Sequence, residues 1–176
     1  TLTGPAILDW TVNGRPLRRA GQPEGNRSAS PPMAPHGIFP ARGEDEWVSI
    51  ACRSDEDWRI LAEAVDEDWA RDPRWAGLAG RLGGEGELEE ALSRWTARHD
   101  KYELQRRLQT RRVPAAAVQR PDERIDHDPG TREWGLWPEV EHTKMGRVRV
   151  DGLPVHLSET DWRIERGAPC LGEHTD

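Results

Sequence analysis

Apolar periodicity in this chain is confined to its middle, and that confinement limits the possible folds more than any single motif does. From His36 to about residue 125, strand alternation and helical stripes follow one another, while the flanks are rich in Pro, Gly, Ser and Arg without a sustained period. "HGIFPA" and "EWVSIAC" bracket the turn "RGEDE", and Trp47, Ser49 and Ala51 alternate with Val48, Ile50 and Cys52. That pattern predicts a β-hairpin.

Helix signals come next. In "SDEDWRILAEAV" Ser54 is the cap, Asp57 holds the box position, and Trp58, Leu61, Ala62 and Val65 share a face. "DPRWAGLAGRL" sets Asp72 at an N-cap and Pro73 at the first helical position. After the glycines at 83, 84 and 86, "ELEEALSRWTAR" aligns Leu88, Leu92 and Trp95 and places acids in its first turn, where the helix dipole favours them. Asp100 and Glu103 open "YELQRRLQTRR", and "VPAAAVQ" is a short extended run. The expected fold class is α+β: a hairpin or small sheet with three to four helices, over residues 36–125, flanked by long linkers.

The flanks read differently. Ala6, Ile7 and Trp10, with Leu2, recur at helical spacing until Gly14, so residues 1–13 are expected to end a helix. Residues 14–35 form a linker longer than ordinary connections, which makes it either functional or a span between two bodies. Residues 126–176, with "LWPEVEH" and "RVRVDGLPVHLS", alternate short extended passes with turns, as a second, returning linker would. The chain opens without Met, in mid-pattern, and is expected to be a portion of a longer one.

Composition removes several function classes. Apolar residues are 35% and charged residues 32%, yet there are nine tryptophans, far more than a disordered chain carries. Trp58, Trp75 and Trp95 fall on apolar helix faces and are expected in the core, whereas Trp10, Trp134, Trp137 and Trp162 lie in the flanks, available to another surface. A net charge of -7 argues against nucleic acid, whose phosphates need a basic face. Cys52 and Cys170 form neither a disulfide framework nor a metal motif, and a reducing cytoplasm is the expected compartment. The histidines His99, His127, His142, His156 and His174 lack metal-ligand spacing, so no metal site is expected. No apolar run spans a membrane.

The order of the motifs carries a resemblance. "APHGIFPARGEDEWVSIACRSDEDWRILAEAV", "DPRWAGLAGRL", "ELEEALSRWTARHDKYELQRRLQTRRVPAAAVQ", "HTKMGRVRVDGLPVHLSET" and "APCLGEHTD" together resemble the C-terminal half of a family III CoA-transferase. The family includes formyl-CoA and carnitine CoA-transferases and the related α-methylacyl-CoA racemases. The resemblance implies a large Rossmann-like domain, a small α+β domain at 36–125, and linkers through which two protomers interlock as a homodimer. It implies acyl-CoA and a carboxylic acid as substrates, coenzyme A thioester chemistry and no covalently bound cofactor. In the transferases the nucleophile is an aspartate of the large domain's N-terminal part, which precedes the region matched here, so Asp9 is not promoted to that role and no catalytic residue is assigned. An α-methylacyl-CoA racemase-like isomerase and a non-enzymatic, partner-binding fragment are the alternative readings.

An acyl-aspartyl anhydride is lost to water unless the site is covered, so a glycine-containing loop is a reasonable lid. Relatives of the formyl-CoA branch carry a glycine run there; this chain has "GQPEGNRSAS" instead, with Gly21, Gly25 and Asn26, which argues against formyl or oxalyl specificity. The candidate substrate or CoA loop is therefore Gly25, Asn26 and Arg27, the last with a fork of donors suited to a carboxylate or phosphate. His36, just before the first strand, is a candidate lining residue. Arg15, Arg18 and Arg19 read as a solvated basic run, and "GRLGGEGELEE" as a helix break rather than a phosphate loop.

Overall fold

A computed structural model describes residues 4–14, 25–29 and 31–175, so Leu2, Gly21 and the Arg15, Arg18 and Arg19 run lie outside the described residues. The chain divides into two compact units, residues 1–118 and 119–176. Helix α1 (Gly4–Asn13) ends where Gly14 adopts a left-handed φ of 63°, and its Ile7 and Trp10 are exposed.

The first unit is built on a three-stranded antiparallel sheet. A two-residue pair, β1 (Ser28–Ala29) with β2 (Pro32–Met33), precedes the expected hairpin, β3 (His36–Pro40) and β4 (Trp47–Ala51). Its register pairs His36 with Ala51 and Pro40 with Trp47. Strand alternation follows the sequence: Val48, Ile50 and Cys52 are fully buried, and Trp47 faces out. β5 (Ala115–Ala117) adds an edge beyond β4, so the "VPAAAVQ" run is a third strand.

Helix α2 (Asp55–Val65) starts at Ser54, whose hydroxyl accepts from the Asp57 N–H at 3.1 Å, and buries Trp58, Leu61, Ala64 and Val65. The "DPRW" start is a 3₁₀ turn, Pro73–Trp75, capped by Asp72, and only then does α3 (Leu78–Gly83) begin. α4 (Glu85–Thr96) buries Leu88, Leu92 and Trp95, and α5 (Lys101–Gln109), capped by Asp100, buries Leu104 and Leu108. Helix α5 also closes the open edge of β5. Gln109 Nε2 donates to the Ala115 carbonyl and Gln105 Oε1 accepts from the Ala117 N–H, both at 2.8 Å, so one helical turn satisfies what a further strand would.

Arg81 joins these pieces from inside. Its side chain is fully buried; Nε donates to the Ala34 carbonyl at 2.7 Å, Nη1 to the Trp75 and Ala76 carbonyls at 2.9 and 3.0 Å, and Nη2 to Asp55 Oδ1 at 2.7 Å. Its guanidinium also lies 5.8 Å from the Trp58 ring. Close packing surrounds it: a Cβ on Gly80 would sit 1.8 Å from the Arg74 carbonyl oxygen, and one on Gly84 would sit 2.7 Å from the Trp75 ring. The tryptophans expected in the core are there, with Trp58, Trp75 and Trp95 all buried. Cys52 joins them, and burial pushes its thiol up to about 12.

The second unit contains α6 (Pro121–Asp126), α7 (Pro129–Glu133) and a hairpin of β6 (Glu139–His142) with β7 (Gly146–Arg149). Among its described residues, Val140 is the buried hydrophobic, while Leu153, Val155 and Leu157 are exposed. His156 organises its aromatic residues: the ring meets Trp134 edge-on at 5.0 Å and stacks on Trp162 at 5.6 Å. Both imidazole nitrogens face acceptors, Nδ1 the Asp161 carboxylate at 2.7 Å and Nε2 the Trp134 carbonyl at 2.9 Å.

Two outcomes test these contacts. Arg81→Ala strips the buried Ala34 and Trp75 bonds and the partly buried Ala76 bond of their donor and is expected to cost about 3 kcal/mol in urea unfolding, against about 1 kcal/mol for Asp55→Ala, whose side chain is largely exposed; equal costs would contradict the hub. Hydrogen bonding to Asp161, then to the Trp134 carbonyl, raises the His156 pKa above its ordinary value. The stabilising contribution is therefore complete below the unfolded pKa of about 6.5 and disappears as pH rises through the higher folded value. An imidazole titration by NMR should show the raised midpoint and its return toward ordinary in Asp161→Asn; an unshifted His156 would refute it.

Candidate functional site

The four residues singled out from sequence converge on one cavity of the first unit. Gly25, Asn26, Arg27 and His36 line a space of about 290 Å³ together with Gly37, Ile38, Phe39, Glu89 and Ser93. A loop, a strand and a helix build it. The loop enters through Gly25, at a left-handed φ of 41°, and runs into β1, while His36 opens β3 and Glu89 and Ser93 stand one turn apart on α4. Buried Phe39 and Gly37 pack together in its wall, where a Cβ on Gly37 would lie 3.3 Å from the Phe39 ring.

Arg27 gives the cavity its electrostatic character. Its Nε donates to Glu89 Oε1 at 2.9 Å and its Nη2 to Glu89 Oε2 at 2.5 Å, a two-point fork that fixes the plane of the guanidinium. Glu85, one turn earlier on α4 and buried, approaches Arg27 Nε at 3.7 Å. The hydrogen bond to Glu89 pushes the guanidinium pKa further up, against the opposing effect of burial, and the charges of Glu89 and Glu85 add to it. The fork expected to meet a ligand carboxylate or phosphate thus faces two carboxylates of the protein itself.

His36 ties down the other side of the loop. Its Nδ1 hydrogen-bonds the Asn26 carbonyl, an acceptor only, so Nδ1 carries the proton and, in the neutral ring, Nε2 carries the lone pair. The preceding residues are anchored as well: the Ala34 carbonyl accepts from Arg81 and the Pro35 carbonyl accepts from the Cys52 N–H at 2.8 Å. The core therefore sets where His36 emerges. Among the described residues no group of three or more His, Cys, Asp or Glu side chains is placed to hold a metal ion, and no helix is long and apolar enough to cross a membrane.

Glu89 and Ser93 were not singled out from sequence. Their signal was the spacing Glu85, Glu89, Ser93 along one helix face, which an acid-rich first turn conceals. The partner of Glu89 lies 62 residues earlier, a separation that no local pattern reports.

Comparison with known proteins agrees with the architecture. The sequence model of CoA-transferase family III matches residues 2–175, and the chain belongs to that family. It is 30% identical over 145 residues to a probable CoA-transferase of Mycobacterium tuberculosis, covering 81% of this chain and 18% of that protein. It is 32% identical over 105 residues to a formyl-CoA:oxalate CoA-transferase of Bradyrhizobium diazoefficiens, covering 60% of this chain and 24% of that protein. The crystal structure of a CaiB/BaiF family protein from Brucella suis superposes with a TM-score of 0.74 at 21% identity, over 98% of this chain and 42% of that one, and shows the same α+β fold. The chain spans less than half the length of each of these relatives.

Proposed function

We propose that this chain supplies the small-domain portion of an enzyme that moves coenzyme A between carboxylic acids, with the reacting carboxylate contributed by a part of the family fold outside these 176 residues. Family membership over residues 2–175 supports the reaction class. The observation that carries the local reading is the convergence of Gly25, Asn26, Arg27 and His36 on one cavity.

The chemistry explains why such a cavity matters. An aspartate carboxylate attacks the thioester carbonyl, the C–S bond breaks, and coenzyme A leaves as the thiolate, giving a mixed anhydride. The thiolate then attacks the aspartyl carbonyl and the first acid departs; the incoming carboxylate repeats the sequence in reverse and leaves carrying coenzyme A. Water competes for every acyl intermediate, so a surface that covers the reacting carbonyl raises the yield of transfer. In this reading the loop at Gly25–Arg27 is that cover, and residues 14–35 and 126–176 are the arms connecting the small domain, 36–125, to the large one. Two protomers interlock through these arms in a cytoplasmic homodimer.

The test compares this chain alone with the protein purified from its native source, each given an acyl-CoA and a panel of carboxylic acids. Coenzyme A transfer by the native protein and none by the isolated chain is the expected result. Turnover by the isolated chain would overturn the division of labour. Exchange of the α-proton with deuterated solvent, without transfer, would assign an isomerase instead.

A further inference from the structure

We propose that Glu89, backed by Glu85, is a positioning residue: it clamps the Gly25–Arg27 loop down through the Arg27 guanidinium and so sets how much of the acyl intermediate is lost to water. The inference rests on the coenzyme A transfer reading for its chemistry and on the geometry of α4 for its mechanics.

Arg27 bridges from the loop to α4 through two nearly parallel N–H···O bonds, 2.9 and 2.5 Å long, to the two oxygens of one carboxylate. A fork of this kind fixes orientation as well as distance, which a single hydrogen bond or a lysine would not. The pair is only partly exposed, at 21% for Arg27 and 26% for Glu89, so water screens it less than a surface pair. Glu85 lies a helical turn away at 3.7 Å and is 4% exposed, adding attraction from the same side. The guanidinium rests against the first turn of α4, where Nη2 lies 3.8 Å from the place a Cβ on Gly86 would occupy.

The consequence for the cavity follows from what the clamp holds. Arg27 sits next to Asn26, whose carbonyl is bound by His36, so the loop is pinned at consecutive residues to two different elements, α4 and β3. Both pins line the same cavity. Releasing the Glu89 fork removes the two-point hold on α4, loosens the loop and opens the space it covers. Glu89 touches neither substrate nor reacting atoms in this scheme; it acts through Arg27.

Glu89→Gln keeps the size of the side chain and removes its charge. In the native protein, hydrogen exchange over residues 25–29 should accelerate about tenfold, corresponding to about 1.4 kcal/mol of lost clamping, while β3, β4 and the α4 core stay protected. Hydrolysis of acyl-CoA relative to transfer should rise several-fold, and the charge-swapped Arg27→Glu, Glu89→Arg double variant should recover part of both effects. Unchanged loop exchange in Glu89→Gln would overturn the clamp whatever the activity. Faster exchange with an unchanged hydrolysis-to-transfer ratio would overturn its role in excluding water. Failure of the wild-type protein to transfer coenzyme A would instead strike the functional reading, with the exchange arm still deciding the clamp.

Discussion

The buried guanidinium of Arg81 is the interaction on which the first unit depends. Three carbonyls from two separate segments, those of Ala34, Trp75 and Ala76, share its donors, and Asp55 at the start of α2 takes the remaining contact. A buried cation is costly to desolvate, and Arg81 is tolerated because its hydrogen bonds replace those of water. The same bonds decide where β3 begins, since Ala34 lies two residues before His36. A core residue thus fixes one wall of the candidate site without lining it.

The opposite wall depends on a weaker, more exposed contact. Arg27 reaches α4 through Glu89, in a partly exposed pair, while Arg81 is sealed in the interior. The contrast suits the role proposed for the loop, a cover over the reacting group that admits and releases a coenzyme A thioester. In the proposed reading the first unit positions and excludes water, and the nucleophile comes from another part of the family fold.

Much of the frame was legible in the sequence because local rules dominate it. Val48, Ile50 and Cys52 point inward as their alternation requires, Ser54 and Asp100 cap α2 and α5, and Leu88, Leu92 and Trp95 form the buried stripe of α4. The shortcomings have physical causes. "VPAAAVQ" lacks the β-branched density of an ordinary strand, and becomes one because α5 glutamines complete its edge. The "DPRW" start resolves into a 3₁₀ turn because the Trp75 and Ala76 carbonyls are drawn to Arg81. At the site, Gly25, Asn26, Arg27 and His36 were readable through turn chemistry and resemblance, whereas Glu89 depends on a contact that exists only after the chain has folded.

In the proposed reading the cavity beneath the Gly25–Arg27 loop faces the coenzyme A thioester during transfer. Hydrogen exchange of the native protein, measured with and without a slowly transferred acyl-CoA, tests it most directly. Protection is expected to concentrate over residues 25–39 and the Glu89–Ser93 turn of α4, with little change in α2 or in the β6–β7 hairpin. Saturating acyl-CoA that leaves residues 25–39 exchanging at their unliganded rate would contradict it.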